Sequence, residues 1–238
     1  MKKILSLILI LSGLTLTFYS CVNLDTEKGK SYFPDAYICS KIINGDTLYL
    51  VGGYVSANTP IKSVIMKSPD GSFSVDLNQV DSYGYYFERK LKDADFSSKK
   101  PVKGYYKFEI VNSDGSVSDT SNYVSDETLA PVKIEGVVPD STNESITINW
   151  DKNSDASYYV VRLLRNDSII YISNDIDTGY TSMILYSYSS GWASDIVLKS
   201  GDSLKVVISG VMEEITDSQY SEAQAASFSS PVGIVWPD

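Results

Sequence analysis

The chain has 238 residues, 43% of them hydrophobic, enough for one large or two ordinary domains with buried cores and too apolar for a disordered polymer. Its formal charge is −10 and no basic run exceeds Lys99-Lys100, so a nucleic-acid backbone would be repelled. There is no His, which removes the commonest general base, the usual Ser or Cys activator and the commonest zinc ligand, and the two Cys cannot build a disulfide framework.

Met1-Lys2-Lys3 is a short positive start, and Ile4 to Phe18 is an apolar run of signal-peptide length, shorter than a typical membrane span. Residues 1–20 are therefore expected to direct export. Their removal takes away Lys2 and Lys3 and no acid, bringing the mature chain to −12. Three fates compete for Cys21: loss with a longer signal, pairing with Cys39, or acylation. The third fits best. Cys21 follows the apolar run directly and is preceded by the small Ser20, an arrangement that resembles the lipobox of bacterial lipoproteins, Bacteroidota ones in particular, with Phe18 where Leu is usual. The resemblance implies a lipid anchor on Cys21 in the cell envelope, at the outer membrane, with the periplasmic and cell-surface sides both open. Residues 21–31 then form a polar tether, and two or three acyl chains hold where one alone would be marginal.

Short alternating runs follow, separated by turn residues: Ala36–Ile42, Thr47–Val55, Ile61–Met66, Ser72–Leu77, Gly84–Leu91, Gly104–Val111 and Val117–Val124. Turns about every ten residues predict an antiparallel β-sandwich. In Gly104–Ile110 the residues Tyr106, Phe108 and Ile110 share one face, whereas Tyr105, Lys107 and Glu109 share the other. Cys39 is expected as a small buried hydrophobe of the first strand, since only Lys41 nearby could activate it. Lys90–Phe96 has room for one short helical turn.

The polar stretch Ser125–Pro131 marks a boundary between residues 32–128 and 130–231, with 232–238 as a C-terminal tail. Beyond it come Pro131, a strand Ser145–Trp150 ending in Trp, an alternating strand through Tyr158-Tyr159-Val160-Val161, a long run Ser203–Val211 and a last strand Glu222–Ser229. This order resembles a fibronectin type III domain. Leu204 occupies the position where Tyr is common, and Trp150 is expected as a plug between the sheets. The first half looks more loosely immunoglobulin-like. The fold class is thus all-β, two tandem immunoglobulin-like β-sandwiches with the second fibronectin type III-like. That resemblance implies a fold and no chemistry.

Candidate sites are few. Asn174–Gly179 partly resembles a calcium loop but lacks the remaining oxygen ligands, so a plain turn and no metal is expected. Adjacent acids such as Glu213-Glu214 face opposite ways on a strand. Asp46-Thr47, Asp167-Ser168 and Asp202-Ser203 resemble the O-glycosylation sequon of exported Bacteroidota proteins, although turn-to-strand junctions produce the same pattern. Aromatic residues are the more informative signal. Tyr186 and Tyr188 are expected on one strand face, with Trp192 in the following loop, and Tyr83–Phe87 is a second cluster. Flat aromatic rings suit sugar stacking and protein interfaces, or simply cover a core. The expected function is a non-catalytic binding or spacer module for a glycan or a protein partner, with no cofactor. A purely structural or assembly component of an envelope complex and a small carboxylate-dependent hydrolase are the alternatives.

Overall fold

In the computed structural model the described residues are 29–214 and 222–237. Residues 1–20, expected to direct export, Cys21 and most of the expected tether lie outside them. Twelve-residue strands β1 (Tyr32–Ile43) and β2 (Asp46–Ala57) open the fold as a hairpin. Its two-residue loop is Asn44-Gly45, with φ of 54° and 92°, the left-handed pair that matches the twist of adjacent strands. There follow β3 (Ile61–Lys67), β4 (Ser74–Asp76), β5 (Asn78–Gln79), β6 (Tyr86–Glu88), β7 (Gly104–Asn112) and β8 (Val117–Val124). A 3-10 turn, Asp93–Asp95, lies inside the stretch where the sequence leaves room for one.

The second half contributes β9 (Ile134–Asp140), β10 (Ser145–Trp150), β11 (Tyr158–Arg165), β12 (Ser168–Ile172), β13 (Ile176–Asp177), β14 (Ser182–Tyr186), β15 (Ser203–Glu213), β16 (Ala223–Phe228) and β17 (Val232–Val235). The last of these lies in the stretch read as a tail. There Leu204–Val206 and Val232–Ile234 pair antiparallel, and Trp236 is buried in the core. β12 is tied to β11 by a second left-handed loop, Asn166-Asp167.

The strands form two packed layers on each side. Strands β4-β3-β7-β8 make one small sheet and β14-β10-β9 another. Each faces part of a single long sheet of order β12-β11-β15-β16-β1-β2-β6-β5, to which β13 and β17 are added at β11 and β15. The fold is therefore all-β and sandwich-like. Two separate cores result. In the first, Ala36, Ile38, Val51 and Phe87 of the long sheet meet Val64, Met66, Phe108 and Ile110 of the small one. In the second, Tyr159, Val161, Leu163 and Ile208 meet Ile146, Ile148, Trp150 and Leu185. Each such aliphatic or Phe side chain contributes about 1.5–3 kcal/mol by leaving water. The alternation read from β7 holds: Tyr106, Phe108 and Ile110 are buried and Tyr105 is exposed.

One join makes the long sheet continuous. β1 and β16 run parallel, with Ile38 opposite Ala225 and Lys41 opposite Phe228. Ala225, Ala226 and Ser227 are small and buried, which lets the two cores approach. Four hydrogen bonds made by side chains cross the seam. Asp35 Oδ2 accepts from Ala223 N at 3.0 Å, Asn122 Nδ2 donates to Glu222 Oε2 at 3.0 Å, and Gln224 Nε2 donates to Ser125 Oγ at 2.9 Å. Ser40 Oγ donates to Leu129 O. From Tyr32 onward the chain is one compact unit.

Candidate functional site

The aromatic surface of the second sandwich is built by a turn. β14 ends at Tyr186, whose N–H donates to Ser189 Oγ at 3.1 Å, while Ser189 N donates back to Tyr186 O at 3.1 Å. Those bonds reverse the chain, so Tyr188 lies in the turn and not on the strand face expected for it. The two rings still meet, but by folding back: their centroids are 5.1 Å apart and their planes 19° apart, a stacked pair. Tyr188 is 79% exposed.

Trp192 belongs to the same cluster in a different role. Its Nε1 donates to Tyr186 O at 3.1 Å. Its ring packs against Tyr171 at 4.8 Å and edge-on against Trp236 at 5.8 Å. It is half-buried and closes one end of the second core. The structure thus brings Tyr186, Tyr188 and Trp192 together, with Trp192 as the support and Tyr188 as the exposed face. Trp150, by contrast, is a buried plug with its ring edge-on to Tyr159, 5.7 Å away.

The second cluster divides. Phe87 is core, Tyr86 is half-buried with its ring 5.6 Å from Tyr54, and Tyr83 and Tyr85 are exposed. The Asp81 carboxylate accepts from the backbone N–H of Gly84, Tyr85 and Tyr86, each at 3.1 Å, and so fixes this loop. Gly84 needs its φ of 79°, and a methyl there would sit 2.7 Å from Ile61 O.

The remaining candidates resolve into structural parts. The Asp177 carboxylate accepts from Gly179 N at 2.7 Å, and Tyr180 N donates to Asp177 O at 3.0 Å, so the calcium-like stretch is a self-bonded turn. Among the described residues no group of three or more acids or thiols is placed to hold a metal. Thr47, Ser168 and Ser203 are exposed near or at the starts of β2, β12 and β15. Cys39 is fully buried, and that burial pushes its thiol up to about 12. Cys21 lies outside the described residues. Beside Leu204, Asp202 Oδ2 accepts from Arg165 Nη2 at 2.6 Å and from Lys199 N at 2.9 Å.

Two buried charges carry no warning in the sequence. Arg89 follows β6 in the first core. Asp35 lies at the seam, 2% exposed, with Oδ1 lacking a hydrogen-bond partner among nearby groups of good geometry. Burial, reinforced by Glu222 and Glu214, pushes the Asp35 carboxyl up to about 7 against the hydrogen bonds from the Ala223 N–H and the Tyr54 hydroxyl. A run such as Phe33-Pro34-Asp35-Ala36 gives no sign of this, because the burial comes from a strand almost two hundred residues away.

Fold and surface together define a class: an all-β sandwich protein with an exposed aromatic face. No family model matches the chain, and no curated protein matches it. Several solved structures are similar to it. The fibronectin(III)-like modules of Clostridium thermocellum CbhA share 15% identity over 86% of this chain and 92% of theirs, with a TM-score of 0.28. A segment of two fibronectin type III domains from chicken tenascin shares 12% identity over 79% of this chain and 92% of that one, with a TM-score of 0.27. The BSP domain of a biofilm associated protein shares 15% identity over 84% of this chain, with a TM-score of 0.23, and this chain spans 29% of its length. Likenesses this distant assign no chemistry.

Proposed function

We propose that this protein is a non-catalytic binding module of the cell envelope, exported through residues 1–20, anchored by lipid on Cys21, and contacting a glycan through the ledge formed by Tyr186 and Tyr188. The observation that carries the reading is the Tyr186–Tyr188 stack. A ring 79% exposed does little for the core, yet this one is held in a defined orientation by its neighbour and by the turn beneath it. Fixed, flat and amphipathic, it suits the C–H face of a sugar ring, and little ordering entropy remains to be lost on binding.

The continuous long sheet serves the same role mechanically, since it joins the two sandwiches through shared strands. It equally favours a second reading, a rigid spacer in an envelope assembly.

Native gel electrophoresis through immobilised envelope and plant polysaccharides tests the first reading. The wild type should be retarded by at least one polysaccharide and Tyr188→Ala should not, with unchanged thermal unfolding. Equal mobility of both proteins in every gel, together with co-purification of a membrane protein, would replace the binding module by the spacer. Fractionation of cells carrying Cys21→Ala tests the anchor: the variant should leave the membrane fraction, and its retention there would refute lipidation at Cys21.

A further inference from the structure

The first sandwich buries a cation that makes no close ion pair among the described residues, although the exposed carboxylate of Asp95 acts on it across the cleft. Arg89 is 5% exposed. Its backbone N–H donates to Gly53 O at 2.9 Å, and its guanidinium lies over the Phe73 ring, 4.6 Å from the centroid. A guanidinium carries five N–H donors. Here one side-chain bond is made among the described residues, from Nη1 to Val51 O at 2.7 Å, and Nε is buried with no partner. No ion pair among the described residues includes Arg89. Burying a charge in this way is costly unless something pairs it.

Arg89 borders an open cleft of about 200 Å³ whose rim adds Lys99 and Lys100. Lys100 Nζ lies 5.5 Å from the centre of the Tyr49 ring, which also lines the cleft, and donates to Thr128 Oγ1 at 3.2 Å, so two of its three N–H donors remain for a ligand. Asp95, exposed at the rim, is the single acid on this lining. The cleft is also polar in a particular way. Ser72 Oγ donates to Asp70 Oδ1 at 2.7 Å and Ser97 Oγ donates to Lys99 O at 3.1 Å. With their protons committed, both hydroxyl oxygens are left to accept from a ligand's hydroxyls.

We propose that this cleft binds the carboxylate of a uronic acid residue at the end of a glycan, with Arg89 and Lys100 as its charged contacts. A guanidinium fork pairs in one plane with a carboxylate, as it also does with a phosphate, and the sugar hydroxyls are what separate the two here. The volume is below the roughly 300–1,000 Å³ of pockets that enclose drug-sized ligands, which suits one terminal sugar and not an extended chain. Serine oxygens beside the cations give the sugar hydroxyls partners that a simple anion would not use. The site is in the first sandwich and is independent of the Tyr186–Tyr188 ledge in the second.

The test follows the Arg89 Nε–H resonance by NMR in the intact protein, while glucuronate, glucose, acetate and inorganic phosphate are added in separate titrations. Glucuronate should shift that resonance saturably, and glucose at the same concentration should not. Loss of one charged hydrogen bond should weaken binding roughly tenfold in Arg89→Lys, read by calorimetry. Lys100→Gln, at an exposed position where folding is not at risk, should weaken it severalfold. Three results would overturn the proposal: glucuronate and glucose behaving alike, acetate or phosphate binding as tightly as glucuronate, or Lys100→Gln binding glucuronate as the wild type does.

Discussion

Replacing Asp35 with Asn isolates the charge at the seam. Asn keeps an oxygen to accept from Ala223 N, as Asp35 Oδ2 does at 3.0 Å, and it cannot ionise. The carboxyl is held at about 7 in the fold against an ordinary 3.8. Its folded-state pKa is raised, so the folded protein binds this proton more tightly than the unfolded chain. The associated stability is fully present below about pH 4 and is lost as the pH rises through 7. The loss amounts to roughly 2–4 kcal/mol, the upper figure being the full linkage and the lower allowing for water entry beside Glu214 and Glu222. With a urea m-value of about 2 kcal/mol/M, that moves the midpoint by about 1–2 M. Urea unfolding at pH 5, 6, 7 and 8 should show the wild-type midpoint falling, Asp35→Asn falling much less, and the variant the more stable of the two at pH 8. A wild-type midpoint that is flat or rises over this range, or a variant with the same slope, would refute the assignment.

Gly52 gives a steric prediction, because a methyl there would sit 2.6 Å from Tyr37 Cε2 and 2.8 Å from Cys39 Sγ, both on the facing strand. Gly52→Ala should cost about 1–3 kcal/mol by overpacking, read as a lower urea midpoint with an unchanged slope. Cys39, buried with its thiol pushed up to about 12, should resist a thiol reagent at pH 8 in a Cys21→Ala background and react at once in denaturant; fast native labelling would contradict its burial.

What the sequence made legible was local. Tyr106, Phe108 and Ile110 announce a half-buried strand because side chains alternate with period two. Asn44-Gly45 announces a hairpin because few residues tolerate two consecutive left-handed conformations. The ends of β14 were harder. Tyr186-Ser187-Tyr188 alternates as a strand would, and the Ser189 hydroxyl and N–H, bonded to Tyr186 N and O, turn the chain. The seam was not legible at all. Ala225-Ala226-Ser227 carries little polarity contrast, and its parallel partner Ile38–Ser40 stands at the other end of the chain. Asp35 and Arg89 stayed hidden for the same reason: a charged residue reads as exposed until the strands that cover it are in place.

The seam makes one more demand on the molecule. Three of its side-chain hydrogen bonds, at 2.9–3.0 Å, and that of Ser40 join the two sandwiches beside a four-residue parallel register. At about 1 kcal/mol net for each hydrogen bond, side-chain and ladder bonds together come to roughly 5 kcal/mol or more, as large as the stability of a small domain. Neither half can then open alone at low cost, since opening would expose the small buried residues of β16 and break the bonds of Asp35 to Ala223 and of Asn122 to Glu222. The chain supplies its own probes of this. All three Trp, Trp150, Trp192 and Trp236, pack in or on the second core, whereas Cys39 lies beside the first core, in a buried cluster with Leu50 and Phe96. Tryptophan fluorescence and Cys39 labelling, followed across one denaturant series in a Cys21→Ala background, should report coincident midpoints. Two separated transitions would mean that the shared sheet does not couple the sandwiches, and that the parallel β1–β16 pairing contributes far less than its hydrogen bonds imply.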